Sequence, residues 1–364
     1  MRKESKKVIF LTGATGLIGS YLLKLLLEKG HKVFCLARSK NEKSAEERVI
    51  EILNFWSKDI SFDPKNLKIL EGDITKKNLG LNKKLLNLLK KEVDQIFHCA
   101  AVTKFNWPLD EIRKVNVEGT RNVLELGVKW SKEGKLERVN HLSTAYVCGD
   151  YKGVFKEDDL DVGQKFNTTY EQSKFEAEKV VEKYRKKGLW IDIFRPPIVV
   201  GESTTGKILS FNLAFYQAIR IWNQELFNYC PGKSNYFFNI VFINELCESI
   251  YKISSKSSIR NKTYHTFNPN RVSLKKIIDD SSEFLKFKKP KLISTTEFFK
   301  KNLTMIQKNL LRYNFFFYNS RVRLDSKMTN EYLKKYNFEF SKFNRKLFFN
   351  LLEYAVRKGF LKKK

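Results

Sequence analysis

Hydroxyl and amine side chains able to handle a proton gather in the middle of this 364-residue chain. Ser143-Thr144 ends an apolar strand-like run, Arg138 to Leu142, and Tyr170-Glu171-Gln172-Ser173-Lys174 follows one loop later. The stretch Phe166 to Glu182 has a helical pattern, so the i, i+4 spacing sets Tyr170 and Lys174 on one face. In a chain this rich in lysine such a pair arises by chance, and its weight comes from its position after the hydroxyl-bearing strand end. Asn116 lies inside another helical stretch, Leu109 to Trp130, three residues before Gly119. Both residues are unfavourable in a helix interior, which marks a place where a polar group is wanted. His98 reads as a packed histidine rather than a catalyst.

These residues need a frame, and it begins at Val8-Ile9-Phe10-Leu11-Thr12-Gly13-Ala14-Thr15-Gly16-Leu17-Ile18-Gly19. An apolar run of strand length enters a glycine turn and then an amphipathic stretch, Tyr21 to Lys29. Strand, glycine turn and helix in that order form the opening unit of a dinucleotide-binding fold. Gly13 allows the turn, Gly16 lets the backbone approach a pyrophosphate, and Gly19 lets helix and strand pack closely. The helix N-terminus offers free N–H groups to phosphates. The second strand, His31 to Ala37, ends in Arg38, with Lys40 and Lys43 nearby and no carboxylate, a tip that favours NADP(H) over NAD(H). Asp73 follows a third strand, Leu67 to Leu70, where its carboxylate can accept from an adenine amino group. Asp94 to Phe97 is a fourth strand, followed by the small-residue turn Cys99-Ala100-Ala101. Helices are expected over Asn41–Trp56 and Leu81–Lys90, and a further strand over Trp190–Phe194. The alternation predicts an α/β, Rossmann-like, doubly wound parallel sheet, with ligands at the carboxyl ends of its strands.

Past Gly201 the regularity weakens. Lys207–Leu226 and Asn244–Ile253 read as helices, Tyr236–Val241 as extended and Lys262–Phe267 as a late strand. The expected division is an NAD(P)-binding domain over 1–205, with return segments at about 236–268. A smaller, mostly helical substrate-binding region is expected over 206–235 and 269–364. The aromatic run Phe315-Phe316-Phe317-Tyr318 reads as core packing, with an apolar pocket or a membrane surface as the alternatives.

The net charge of +29 is spread along the chain rather than gathered in a stripe. That argues against a nucleic-acid partner and is compatible with an anionic cofactor or an acidic carrier protein. The five cysteines are scattered and lack any CxxC pair, so reduced thiols in a cytoplasmic protein, with no metal, are the expectation. No run reaches the roughly 20 apolar residues of a membrane span, which leaves peripheral membrane contact as the only membrane role considered.

With these motifs assembled, the chain resembles the extended short-chain dehydrogenase/reductase superfamily. Within it, the resemblance is to the branch of thioester reductase domains and fatty acyl-CoA reductases. The superfamily features are Thr12 to Gly19, Gly72-Asp73, Asn116-Val117-x-Gly119-Thr120, Ser143-Thr144 and Tyr170-x3-Lys174. The branch features are His141-Leu-Ser-Thr-Ala-Tyr-Val-Cys-Gly149, Tyr170-Glu-Gln-Ser-Lys-Phe-Glu-Ala-Glu178, Arg195-Pro-Pro-Ile-Val-Val-Gly-Glu-Ser203 and the tip Cys35-Leu-Ala-Arg38. The likeness is strong over residues 7 to about 206. It departs at Phe242-Ile243-Asn244, where the branch usually has a Pro-Val-Asp type sequence.

The resemblance implies that Thr144, Tyr170 and Lys174 are a catalytic trio and Asn116 a supporting residue on the proton-relay side. It implies cofactor contacts from Thr12, Gly13, Thr15, Gly16, Leu17, Ile18, Gly19, Arg38, Asp73, Ile74, Ala100, Ala101, Tyr170 and Lys174, with Pro197 and Ile198 near the nicotinamide. The implied reaction is NADPH-dependent reduction of an acyl thioester to aldehyde or alcohol, a step of lipid or related metabolism. Tyr170 and Thr144 would hydrogen-bond the oxygen on which charge builds. Lys174 would lower the Tyr170 pKa and hold the nicotinamide ribose. Two other readings stand beside it: an extended-family dehydrogenase or epimerase acting on a sugar nucleotide or sterol-like hydroxyl or ketone, and a non-catalytic cofactor-bound scaffold.

Overall fold

The computed structural model describes residues 5–56, 62–105, 107–256, 258–305, 307–308 and 322–364. The expected aromatic cluster at Phe315 to Tyr318 lies outside them. The chain divides into two units. The first comprises Met1–Val147, Thr169–Arg195 and Cys247–Tyr264; the second comprises Cys148–Thr168, Pro196–Leu246 and His265–Lys364.

The first unit is built on seven strands: β1 (Val8–Thr12), β2 (Lys32–Ala37), β3 (Leu67–Glu71), β4 (Gln95–His98), β5 (Arg138–Leu142), β6 (Ile191–Phe194) and β7 (Thr263–Tyr264). All are parallel, in the order β3-β2-β1-β4-β5-β6-β7. The central strands are buried along nearly their whole length, which is why they read as continuous apolar runs. Their register aligns Thr12 with His98 and His98 with His141, so the carboxyl ends of β1, β4 and β5 lie side by side.

Among the described residues, six α-helices belong wholly to this unit: α1 (Leu17–Glu28), α2 (Ala45–Trp56), α3 (Lys83–Glu92), α4 (Leu109–Arg113), α5 (Gly119–Glu133) and α6 (Thr169–Arg185). α5 and α6 cover one face of the sheet. Trp130, Val180, Val181 and Tyr184 pack there on Phe10, Ile96, Val139 and Ile191, with Trp130 edge-on to Phe10 at 5.4 Å.

Two helices differ from expectation for local reasons. α2 begins at Ala45 rather than Asn41 because Ser44 and Glu47 form a reciprocal capping box. The Glu47 N–H donates to Ser44 Oγ at 3.1 Å and the Ser44 N–H to Glu47 Oε2 at 2.7 Å. Asn41 and Glu42 ahead of it have left-handed φ values of 51° and 61°. The expected helix over Leu109–Trp130 is interrupted by a wide π turn at Lys114–Glu118, and Asn116 sits inside that turn. Gly119 follows it at a point of close packing, where a Cβ would lie 2.6 Å from Ile74 Cδ1.

α6 is fixed to the sheet by a buried ion pair. Arg195 Nη2 lies 2.6 Å from Glu178 Oε2, and Arg195 Nε donates to Glu178 Oε1 at 3.0 Å. Ser143 Oγ donates to the same carboxylate. Glu178 is fully buried and Arg195 is 1% exposed.

The second unit has short strand pairs and helices. Ile198–Val200 pairs with Ile240–Phe242, Tyr229–Pro231 with Lys291–Ile293, and Val154–Phe155 with Arg323–Leu324, all parallel; Phe237–Phe238 and Val272–Ser273 pair antiparallel. Its principal helices are Ala214–Asn223, Leu274–Leu285, Lys327–Lys334 and Arg345–Arg357. The helix expected from Lys207 begins only at Ala214, after a local turn in which the Asn212 N–H donates to Ser210 Oγ. Aromatic rings fill its core, with Phe215 against Phe348 at 5.9 Å and Phe242 stacked on Phe343 at 5.9 Å. Asn244, the departure from the branch pattern, accepts from the Ser203 N–H at 3.0 Å and donates to Ser203 Oγ at 3.1 Å. No described helix is long and apolar enough to cross a membrane.

Removing one partner of a buried ion pair leaves the other charged and desolvated. Glu178→Ala is therefore expected to lower unfolding stability by about 3–5 kcal/mol. Urea denaturation measures this, and an unchanged midpoint would show that Arg195 does not depend on Glu178.

Candidate active site

The glycine turn closes as its sequence requires. Gly13 has φ +77°, and the Gly16 N–H donates to the Gly13 carbonyl at 2.9 Å. A Cβ on Gly13 would lie 2.5 Å from Ala100 N, and one on Gly19 would lie 2.2 Å from Gly13 O. Backbone thus meets backbone between the ends of β1 and β4 and between the turn and α1. α1 has no side-chain cap and no acidic residue in its first turn, where Leu17, Ile18 and Gly19 stand. Its leading N–H groups meet no capping side chain and no first-turn carboxylate, which leaves them open to an anion.

A groove runs past this turn along the carboxyl ends of the strands. Thr12, Gly13, Thr15 and Gly16 line it on one side, Arg38, Asp73 and Ile74 at one end, and Ala100 and Ala101 opposite. Arg38 Nη1 lies 3.3 Å from Asp73 Oδ2. Burial pushes the Asp73 carboxyl up, but the Thr75 N–H and hydroxyl, each 2.9 Å from Oδ1, and the Arg38 guanidinium outweigh it and hold it below the usual carboxylate range. Arg48 also lines the groove, a residue that sequence reasoning misses. From α2 it donates to the Arg38 carbonyl and, at 3.3 Å, to Thr15 Oγ1. Nothing in its spacing marks it, since the pattern of α2 reports only an apolar face.

Asn116, Thr144, Tyr170 and Lys174 belong to the same unit. Thr144 stands just past the end of β5, and Tyr170 and Lys174 lie in the first turns of α6. Thr169, which opens α6, donates to the carbonyls of Phe105 at 3.1 Å and Trp107 at 2.9 Å, and the Phe105 ring lies 5.8 Å from that of Tyr170. The Tyr170 and Thr144 side chains are hydrogen-bonded. Lys174 is 2% exposed and donates to the Leu142 carbonyl at 2.8 Å. Burial lowers its pKa to about 8, opposed by the Glu178 carboxylate one turn along the helix.

Influences other than Lys174 dominate the Tyr170 pKa. Burial pushes that phenol up to about 12; the Thr144 hydrogen bond acts against this, and the neighbouring Glu171 charge adds to it. In the protein without cofactor Tyr170 is a neutral hydroxyl, able to give a hydrogen bond and a proton.

Asn116 holds two elements at once. Its Nδ2 donates to Val102 O at 3.0 Å and to Ser173 Oγ at 2.9 Å, and its Oδ1 accepts from the Val102 N–H at 2.8 Å. Ser173 is a second residue that sequence reasoning misses, although it lies between Tyr170 and Lys174. Thr120 enters the sequence reading only as part of a motif, yet an Asn and a Thr four residues apart share one helix face, and both are buried. Cys99, expected to be packed rather than reactive, is only partly covered, but burial of its thiol raises the pKa to about 12. Pro197 and Ile198 belong to the second unit, where Ile198 opens a strand.

Comparison with known proteins bears on the family and the fold. A family profile described as "Male sterility protein" matches residues 11–250. A nonribosomal peptide synthetase of Aspergillus flavus, asaC, is 30% identical over 217 residues, covering 57% of this chain and 21% of that protein. The first curated relatives are all much longer, and the aligned region is between 5% and 21% of their length. Among solved structures, the terminal R domain from the myxalamid PKS-NRPS biosynthetic pathway superposes with a TM-score of 0.84 at 24% identity, over 99% of this chain and 93% of that one. A thiolation-reductase di-domain from an archaeal non-ribosomal peptide synthetase gives 0.78 at 20% identity, over 98% and 76%. At these identities the structures establish the fold.

A neutral Tyr170 predicts a plain spectroscopic result. Between pH 6 and about 10 the difference in tyrosinate absorbance between the native chain and Tyr170→Phe is expected to be flat. A step near pH 7–8 would mean that a phenolate forms there and that burial is not the controlling influence.

Proposed function

The chain belongs to the male sterility protein family, an NAD(P)-binding branch of the extended short-chain dehydrogenase/reductases, and on that premise we propose that it is an NADPH-dependent reductase of acyl thioesters. The acyl group would arrive on coenzyme A or on the phosphopantetheine of an acidic carrier protein. The observation that carries this reading is the neutral Tyr170 hydroxyl hydrogen-bonded to Thr144, with Lys174 one turn further along the same helix.

The groove suits the dinucleotide. Positions 13 and 19 have no room for a Cβ, so the backbone itself forms the cradle, and the uncapped start of α1 faces it. Arg38 and Arg48 at the far end offer two guanidinium groups where a ribose 2′-phosphate would sit, the basis for preferring NADPH. When bound, the reduced nicotinamide supplies the hydride for the thioester carbonyl carbon.

The side chains do the rest. Tyr170 and Thr144 hydrogen-bond the carbonyl oxygen as it gains charge, and the low polarity that keeps Tyr170 protonated also strengthens those bonds. Tyr170 gives its proton to that oxygen. Asn116 keeps the first turn of α6 in register through Ser173. Lys174, cationic below about pH 8, holds the cofactor ribose and favours replacement of the proton that Tyr170 gives up. Collapse of the tetrahedral species breaks the C–S bond. One thioester, one NADPH and one proton thus become an aldehyde, a free thiol and NADP+, and a second NADPH and proton would carry the aldehyde to an alcohol. Both carriers are anionic, and a chain of net charge +29 attracts them over long range. The relative and the two solved structures come from peptide synthetases, a setting in which such a reductase has a use. The segments 206–235 and 269–364 are the proposed source of acyl specificity.

The test follows NADPH absorbance with a panel of acyl-CoA and acyl-carrier thioesters. Thioester-dependent oxidation is expected, with Tyr170→Phe losing about 100-fold or more. Tight NADPH binding with no turnover of any thioester would overturn the reading. Replacing the guanidinium at the tip, Arg38→Asp, is expected to cut the preference for NADPH over NADH by roughly 10–100-fold, the effect of one or two charged hydrogen bonds. An unchanged ratio of kcat/KM values would move the 2′-phosphate away from Arg38.

A further inference from the structure

We propose that His98 is a positioning residue: through a one-way chain of hydrogen bonds it ties the foot of the glycine turn to Asn116, and so to the helix that carries Tyr170. The proposal rests on the reductase reading for its kinetic test alone.

The direction of the chain comes from counting hydrogens. The Thr120 hydroxyl lies 2.7 Å from the Asn116 carbonyl, which can only accept, so Thr120 donates there. Having one hydrogen, that hydroxyl must accept from His98 Nε2 at 3.0 Å, which places the ring proton on Nε2. Nδ1 of the neutral ring then carries a lone pair, and Thr12 Oγ1 donates to it at 2.8 Å. Thr12 Oγ1 in turn accepts from the Ala100 N–H at 3.4 Å. From Asn116 the chain continues through Nδ2 to Ser173 Oγ at 2.9 Å, and from that hydroxyl to the Tyr170 carbonyl at 2.9 Å.

The chain passes through four elements, two of its links each lying within a single helical stretch. Thr12 ends β1 immediately before Gly13, His98 ends β4, Thr120 lies on α5, and Ser173 and Tyr170 lie on α6. A displacement of the glycine turn is therefore felt by Asn116 without any direct contact between them. The chain works only with a neutral ring, since a second ring N–H would take away the acceptor of the Thr12 hydroxyl.

The surroundings keep the ring neutral. Burial first, and then the Lys174 charge from α6, bring its pKa down to about 3. The ring of His141 on β5, 5.4 Å away, is likewise held neutral, chiefly by burial. Neither nitrogen of His141 has a hydrogen-bond partner among the described residues, so the chain does not branch through it.

Two measurements test the proposal on the full chain. The first is ¹⁵N NMR of protein labelled in its four histidines, with the His98 signal assigned by its loss in His98→Gln. The Nε2–H tautomer is expected, unchanged from pH 5 to 8. The second compares kcat for His98→Leu, Thr120→Val and the double variant. Each single change is expected to lower kcat about 10-fold, the double no further than the worse single, and His98→Gln, which keeps a donor and an acceptor, to recover part of the loss at equal thermal stability. A His98 that titrates between pH 5 and 7.5, or losses that multiply in the double variant, would overturn the proposal. If the native chain reduces no thioester, the reductase reading fails by itself, and the NMR result still decides for or against His98.

Discussion

The site depends on a charge kept away from water. Glu178 is fully buried, and its cost in lost hydration is offset by the Arg195 guanidinium and the Ser143 hydroxyl. Those three residues come from α6, from the end of β6 and from the end of β5, so a single carboxylate fixes the helix against the strand ends that it serves. It also sits one turn from Lys174 and acts against the burial that would strip that amine of its proton. A hydrophobic replacement of the pair could hold α6 in place. It would not supply the negative charge.

The same exclusion of water shapes each titrating group nearby. It keeps the Tyr170 phenol protonated, brings the Lys174 pKa down to about 8, where the amine is still cationic at neutral pH, and keeps His98 and His141 uncharged. Tyr170 therefore carries its proton at neutral pH, the state from which a reduced carbonyl oxygen could receive one. Lys174 contributes its own charge to the cavity rather than a large shift to Tyr170. Residue types alone point to such a shift, and burial overrides it.

Much of the first unit is legible because its signals are local. The glycine spacing, the apolar strands and the Tyr170–Lys174 interval each reside in one short stretch, and the structure realises them with element ends displaced by a few residues. The features that escape a reading of the sequence depend on partners far along the chain. Glu178 and Arg195 both stand in recognisable motifs, yet their pairing appears only once α6 lies beside β6. Arg48 reaches the groove only because the capping box at Ser44 and Glu47 sets where α2 begins. In the second unit the strand pairs join segments such as Tyr229–Pro231 and Lys291–Ile293, some sixty residues apart. No periodicity in either segment specifies the other.

The π turn at Lys114–Glu118 gives the length of its helix a chemical meaning. A wide turn carries one more residue than a regular one, and that extra residue sets the azimuth at which Asn116 leaves the helix. Removing any one residue there would restore an ordinary helix, comfortable in its own hydrogen bonds, but would rotate α4 by roughly 100° relative to α5. The azimuth that lets Asn116 bond both Val102 and Ser173 would be lost. The number of residues between Pro108 and Gly119 is thus as much a part of the site as their identity.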